Sequence, residues 1–264
     1  MYFVVVVGPA GSGKSHLVAA LADWMEANEL DVTRLNLDPA VEWLPYNPDV
    51  DVRDYVNARK VMEDYQLGPN GALIASVDLV IKYVDKIREE VEATRANYVI
   101  VDTPGQMELF AFRDTGPMVL SKLIEGYRTV TVFLIDAVLA SRPSSLASAV
   151  LLAYSVRFRL KLPQVNIVSK ADLLTRDAME EIERMLNEPD YFYERLLQDR
   201  IEPEQAEAFA RLIESQAPSG ASMETAVRFV SAVSGYGLDD LYAIIQQVLV
   251  AGEDFFTEEP NPRL

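Results

Sequence analysis

Apolar residues fall along this chain in two alternating rhythms. Short, nearly continuous runs of valine, isoleucine and leucine alternate with longer stretches whose apolar positions recur every third or fourth residue. The first rhythm belongs to strands buried on both faces, the second to amphipathic helices. Strands are predicted over residues 2–7, 31–37, 97–102, 128–136, 164–168 and 226–233. Helices are predicted from the residues after 15 to about 28, over 141–160 and over 238–250. Leu73, Val77, Val80, Ile81, Val84, Ile87 and Val91 predict one long helix over 72–94. Residues 41–48 read as a loop, 51–65 as two short helical pieces, and 68–71 as a turn. Residues 175–216 read as charged helices broken near Pro189 and Pro203.

This order of elements predicts an α/β fold, with a mostly parallel sheet covered by helices on both faces. No linker divides the pattern. Residues 1–252 are expected to form one domain with a helical insertion at roughly 176–225, followed by a short, mobile acidic tail at 253–264.

Composition narrows the setting. The 264 residues carry a formal charge of −17, which disfavours nucleic acid or an anionic membrane as a partner. No apolar run approaches the length of a membrane span. Cysteine is absent, so disulfides and thiolate metal sites are excluded, and the expected location is cytoplasmic.

The candidate chemistry lies at the ends of the strands, where open α/β sheets bind ligands. After the first strand comes Gly8-Pro9-Ala10-Gly11-Ser12-Gly13-Lys14-Ser15, the GxxxxGK(S/T) phosphate loop of P-loop proteins. Gly11, Ser12, Gly13 and the start of the helix at His16 are expected to present amides to phosphate. Lys14 is expected to reach the β- and γ-phosphates, and Ser15 to offer a hydroxyl to Mg²⁺. After the 97–102 strand, Asp102 fits a Mg²⁺-binding carboxylate. In the Thr103-Pro104-Gly105-Gln106 that follows, Gly105 can give an amide to the γ-phosphate and Gln106 can orient a water. Asp38, in Asn36-Leu37-Asp38-Pro39, is within reach of metal or water, although an Asp before Pro is also an ordinary turn residue.

After the 164–168 strand, Ser169-Lys170-Ala171-Asp172 resembles the (N/T)KxD guanine motif, with serine in the place of asparagine. The Asp172 carboxylate can accept the two donors that guanine has and adenine lacks, and the Lys170 stem can cover the base. Ser231-Ala232-Val233 resembles the SA(K/L) element, which implies a further guanine contact through the Ala232 amide.

With these motifs in order, Gly68-Pro69-Asn70 makes the chain resemble the GPN-loop GTPases, a SIMIBI-class family of P-loop GTPases, over essentially its whole length. The resemblance implies a three-layer P-loop NTPase fold and Mg²⁺-dependent hydrolysis of GTP to GDP and phosphate. It also implies a homodimer in which Gly68, Pro69 and Asn70 act in trans, with Asn70 reaching the γ-phosphate of the partner's site. Asp38 and Gln106 would place the hydrolytic water. Eukaryotic members assist RNA polymerase biogenesis, so a protein client is implied by analogy, while the short end after Val250 resembles the archaeal form. Arg53 and Arg59 are expected to be solvated helix charges. Tyr191, Phe192, Tyr193, Leu196, Leu197, Phe209 and Leu212 are read as core of the helical insertion rather than as a client groove. The alternatives are a nucleotide-gated scaffold with little turnover, a P-loop kinase, and a metal-insertion GTPase, the last disfavoured by a single histidine and no cysteine.

Overall fold

The computed structural model describes residues 1–216 and 228–250. Its centre is β1 (Tyr2–Val7), whose Phe3 to Val7 are buried. Successive side chains of a strand point to opposite faces. Phe3, Val5 and Val7 therefore enter one apolar core, and Val4 and Val6 the other. The second core is closed by Leu17, Leu21 and Met25 of α1 (Lys14–Ala27) and by Leu241, Ile244 and Ile245 of the last helix, Leu238–Val250. Two cores on one sheet make three layers.

Beside β1 run β2 (Val32–Asn36), β3 (Val50–Asp51), β4 (Tyr98–Asp102), β5 (Arg128–Asp136), β6 (Gln164–Ser169) and β7 (Arg228–Val230). Their order is β3-β2-β4-β1-β5-β6-β7, and every pairing among the described residues is parallel. All carboxyl ends thus share one edge, with β1 and its phosphate loop in the middle.

On the face of Phe3 lie α2 (Ala58–Asp64), α3 (Pro69–Val80), α4 (Val84–Thr94), α5 (Met107–Ala111), α6 (Thr115–Leu123), α7 (Ala137–Ala140) and α8 (Pro143–Leu160). The helix expected over 72–94 is two helices. Bonds from Lys82 N–H to Leu79 O and from Tyr83 N–H to Val80 O tighten the chain between them. Val80 and Val84 are both buried, so the apolar rhythm passes through a break that no glycine or proline announces. The expected turn at Gly68 is instead the start of α3: Pro69 occupies its first position, where a missing N–H costs nothing. The short β3 was not predicted, whereas η1 (Val52–Asp54) and α2 are the two expected helical pieces.

The charged segment forms α9 (Arg176–Asn187), α10 (Pro189–Gln198) and α11 (Pro203–Gln216), breaking at both predicted prolines. The Leu238–Val250 helix is α12. Phe192 and Phe209 meet edge to face at 4.9 Å, and with Leu196 they are buried, as core packing requires. A cleft of about 460 Å³ nevertheless opens between these helices and Leu151 of α8. The expected tail at 253–264 and the start of the last predicted strand lie outside the described residues. No described helix is long and apolar enough to cross a membrane.

Candidate nucleotide and metal site

The loop after β1 needs its glycines. A Cβ on Gly8 would lie 2.9 Å from Ser12 Oγ and 3.1 Å from the Leu134 carbonyl oxygen. Gly13 caps α1 at φ 96°, a left-handed conformation that side chains rarely tolerate. The loop wraps around Lys14, whose ammonium donates to the carbonyls of Gly8 (2.9 Å), Pro9 (3.0 Å) and Gly105 (3.4 Å). Burial lowers the Lys14 pKa, and Asp102, Asp38 and Glu108 oppose the shift.

Asp102 ends β4 next to this lysine and is 1% exposed. Burial raises its pKa to about 6, against the pull of the Ser15 and Tyr46 hydroxyls and of Lys14, while Asp38 adds to the rise. Its Oδ2 accepts from Tyr46 Oη at 3.0 Å. Its Oδ1 is fully buried and has no hydrogen-bond partner among the described residues, and the Ser15 hydroxyl lies close to the carboxyl group. A buried carboxylate oxygen left unpaired next to a hydroxyl is the donor set that Mg²⁺ takes when phosphates and water complete its shell. Ser15 and Asp102 therefore fit the expected metal. No group of three or more acidic or histidine side chains able to hold a metal occurs among the described residues.

Asp38 is positioned by its own strand. Asn36 is fully buried at the end of β2; its Oδ1 accepts the Asp38 N–H at 2.9 Å, and its Nδ2 donates to Asp51 at 2.9 Å. The Asp38 carboxylate accepts the N–H of Ala40 (2.9 Å) and of Gly105 (2.9 Å). The Gly105 amide expected to face the γ-phosphate thus faces Asp38. A phosphate contact there requires this bond to open. Gln106 precedes α5 with an exposed side chain. Arg53 is a partly exposed but paired charge: its guanidinium holds both oxygens of Asp51 and the Val41 carbonyl, pinning the loop that carries Tyr46. Arg59 is exposed, as expected.

On the other side of β1, a pocket of about 230 Å³ is lined by Gly13, His16, Lys170, Asp172, Ala232 and Val233, among others. It brings together every residue predicted to meet the base. Ser169 Oγ donates to the carbonyls of Ser12 (2.8 Å) and Ile135 (3.2 Å), so the serine in the asparagine position ties β6 to the phosphate loop. Lys170 Nζ donates to Gly11 O and to Asp136 Oδ2, both at 2.6 Å. Asp172 Oδ1 accepts from Ser231 Oγ at 2.5 Å, and that hydroxyl also accepts the N–H groups of Val233 and Ser234. Sequence reasoning missed Asp136, Tyr46 and the side chain of Ser231. Asp136 ends an apolar strand as Asp102 does, which was the available signal.

Gly68, Pro69 and Asn70 are exposed at the N-terminus of α3. They are not part of the cluster around Lys14. Pro69 and Leu73 face Pro39 to Glu42 across an open cleft of about 780 Å³.

A family model described as "conserved hypothetical ATP binding protein" matches residues 6–251. The chain is 32% identical over 96% of its length to GPN-loop GTPase 1 of Dictyostelium discoideum, of which it covers 62%. It is 38% identical over 64% of its length to GPN-loop GTPase 2 of Schizosaccharomyces pombe, of which it covers 55%. It spans about half to two thirds of the length of the curated relatives it matches. A GTPase of Pyrococcus abyssi, solved in its apo form, shares the fold with a TM-score of 0.80 and 27% identity, over 96% of this chain and 98% of that one. Phosphate loop, strand-end carboxylates, GPN tripeptide and these likenesses together show that the chain belongs to the GPN-loop GTPase family.

Proposed function

We propose that the chain is a Mg²⁺-dependent GTP hydrolase that works as a homodimer and switches a protein-binding surface. The observation that carries this reading is the placement of Asp172 on the small pocket beside the phosphate loop, with Asp38 and Asp102 on the loop's other side. Adenine would offer Asp172 neither of the two donors that guanine has, so the pocket favours guanine although the matching family model is described by ATP.

In this reading the phosphate-loop amides bind the β-phosphate, and Lys14 exchanges its carbonyl partners for phosphate oxygens. Ser15 and Asp102 would hold Mg²⁺, which when bound would neutralise charge on the phosphates. Asp38 releases Gly105, whose N–H becomes available to the γ-phosphate. Asp38 then accepts a hydrogen bond from the attacking water, and Gln106 fixes that water's orientation. Asn70 stands at the positive end of α3, suited to an anion in a second copy of the chain. Assembly of a client such as RNA polymerase rests on the family resemblance alone.

Mixing tests the trans arrangement. Lys14→Ala and Asn70→Ala chains are each expected to be inactive alone, and a mixture to recover activity, because one composite site is intact. No recovery from verified heterodimers contradicts insertion across the interface. Equal affinity for GTP and ATP by calorimetry contradicts the guanine reading.

A further inference from the structure

Lys170 is held more tightly than covering a base requires. Its backbone is left-handed at φ 59°. Its ammonium is shared between a phosphate-loop carbonyl and Asp136, each at 2.6 Å. Asp136 lies 34 residues away, at the end of β5. Its register partner across β5 and β6 is Ser169, the residue before Lys170. The two oxygens of Asp136 have separate tasks. Oδ1 accepts the Val138 N–H at 2.8 Å and so caps α7, while Oδ2 takes Lys170. The Asp136 side chain is 15% exposed and that of Lys170 37%, so the pair is partly desolvated and its geometry is fixed at both ends.

A lysine stem is flexible, and fixing it costs up to about 2 kcal/mol of side-chain entropy. With only the Gly11 carbonyl as partner, the ammonium would be free to turn into solvent. The carboxylate settles this before any nucleotide arrives: it draws the stem across the loop, with Cε 3.8 Å from where a Cβ on Gly13 would stand. The wall of the base pocket formed by Lys170 is thus set from β5.

We propose that Asp136 is a positioning residue for guanine nucleotide binding, acting through Lys170 by fixing the side chain that walls the base pocket and closes over the phosphate loop. The inference rests on the nucleotide assignment of that pocket, but it concerns binding and needs no hydrolysis.

The test is a double-mutant cycle read by calorimetry with GDP. Asp136→Asn keeps an oxygen to cap α7 and loses the charge that holds Lys170. It is expected to weaken GDP binding about tenfold, equivalent to about 1.4 kcal/mol. In a Lys170→Ala background the same change is expected to alter GDP affinity less than twofold, because the interaction is already gone. Asp136→Ser, which also caps but is too short to reach the ammonium, should weaken binding at least as much as Asp136→Asn. Thermal midpoints within a few degrees of the parent separate these effects from misfolding. An unchanged GDP affinity in Asp136→Asn and Asp136→Ser overturns the proposal, and so does a tenfold loss that persists without Lys170. Equal binding of GDP and ADP by the parent protein would fault the guanine assignment instead, and the cycle would still report whether Asp136 acts through Lys170.

Discussion

The sheet divides at β1 into two wings that are built differently. Toward β7, the strand ends at the base pocket are satisfied. Asp136 uses both oxygens, Asp172 takes the Ser231 hydroxyl, and Ser169 is bonded to two carbonyls. Toward β3, the end of β4 carries unresolved charge. Asp102 is buried with one oxygen unpaired and its pKa pushed up to about 6, while Lys14 is pulled down and borrows three carbonyls. The first wing is shaped in advance for a neutral, flat ligand. On the proposed reading, the second serves Mg²⁺ and the phosphates. Selection of the base and handling of the phosphates are therefore separable, and substitutions in the two wings should fail in different ways.

The largest effect is expected at the centre. Lys14→Ala should lower GTP turnover on the order of a hundred- to a thousandfold, because the positive group aimed at the phosphates is lost. Single-turnover hydrolysis measures it. A loss confined to KM would mean that Lys14 only binds.

Next is pH, which should act through Asp102 in the β3 wing. The folded-state pKa of Asp102 lies above its ordinary value of 3.8, so the folded protein binds more protons than the unfolded chain between about pH 4 and 6. Stability without metal and nucleotide should therefore fall as pH rises through that window, by up to roughly 3 kcal/mol from this group. The corresponding component should be missing from Asp102→Asn in urea unfolding at pH 5 and pH 7. Mg²⁺ should recover stability at pH 7 more than at pH 5, where protons compete for the carboxylate.

A smaller loss, of a different kind, is expected from the β7 wing. Asp172→Ala should reduce the preference for GTP over ATP by about a hundredfold, less than the full discrimination of a buried polar contact, because Asp172 is exposed. Turnover at saturating nucleotide should change far less. Selectivity that survives the substitution would move base recognition away from Asp172.

What could be read from the sequence follows the same division between local and distant. The phosphate loop, Asp102 and the Ser169–Asp172 run are contiguous motifs attached to strong strand signals, and they stand at the carboxyl ends of β1, β4 and β6. Asp136, Tyr46 and Ser231 act on residues 34, 56 and 59 positions away; the apolar strand before Asp136 marks the residue, but no local pattern announces its partner or theirs. The break between α3 and α4 was hidden for a related reason. Val80 and Val84 keep helical spacing across it, and Tyr83, at the break, packs on Tyr55 at 5.4 Å. Tertiary contact decides such a break, and periodicity does not record it. The GPN tripeptide misled as a turn because proline serves both a turn and a first helical position.

The central claim is that Asp38 serves hydrolysis while the opposite wing serves binding. Measuring GTP affinity and single-turnover hydrolysis on the same preparation of Asp38→Ala tests it most directly. GTP affinity is expected within about threefold of the parent, since no base contact is touched, and hydrolysis slowed on the order of a hundredfold. Hydrolysis at the parent rate, or a loss explained wholly by weaker GTP binding, would contradict it.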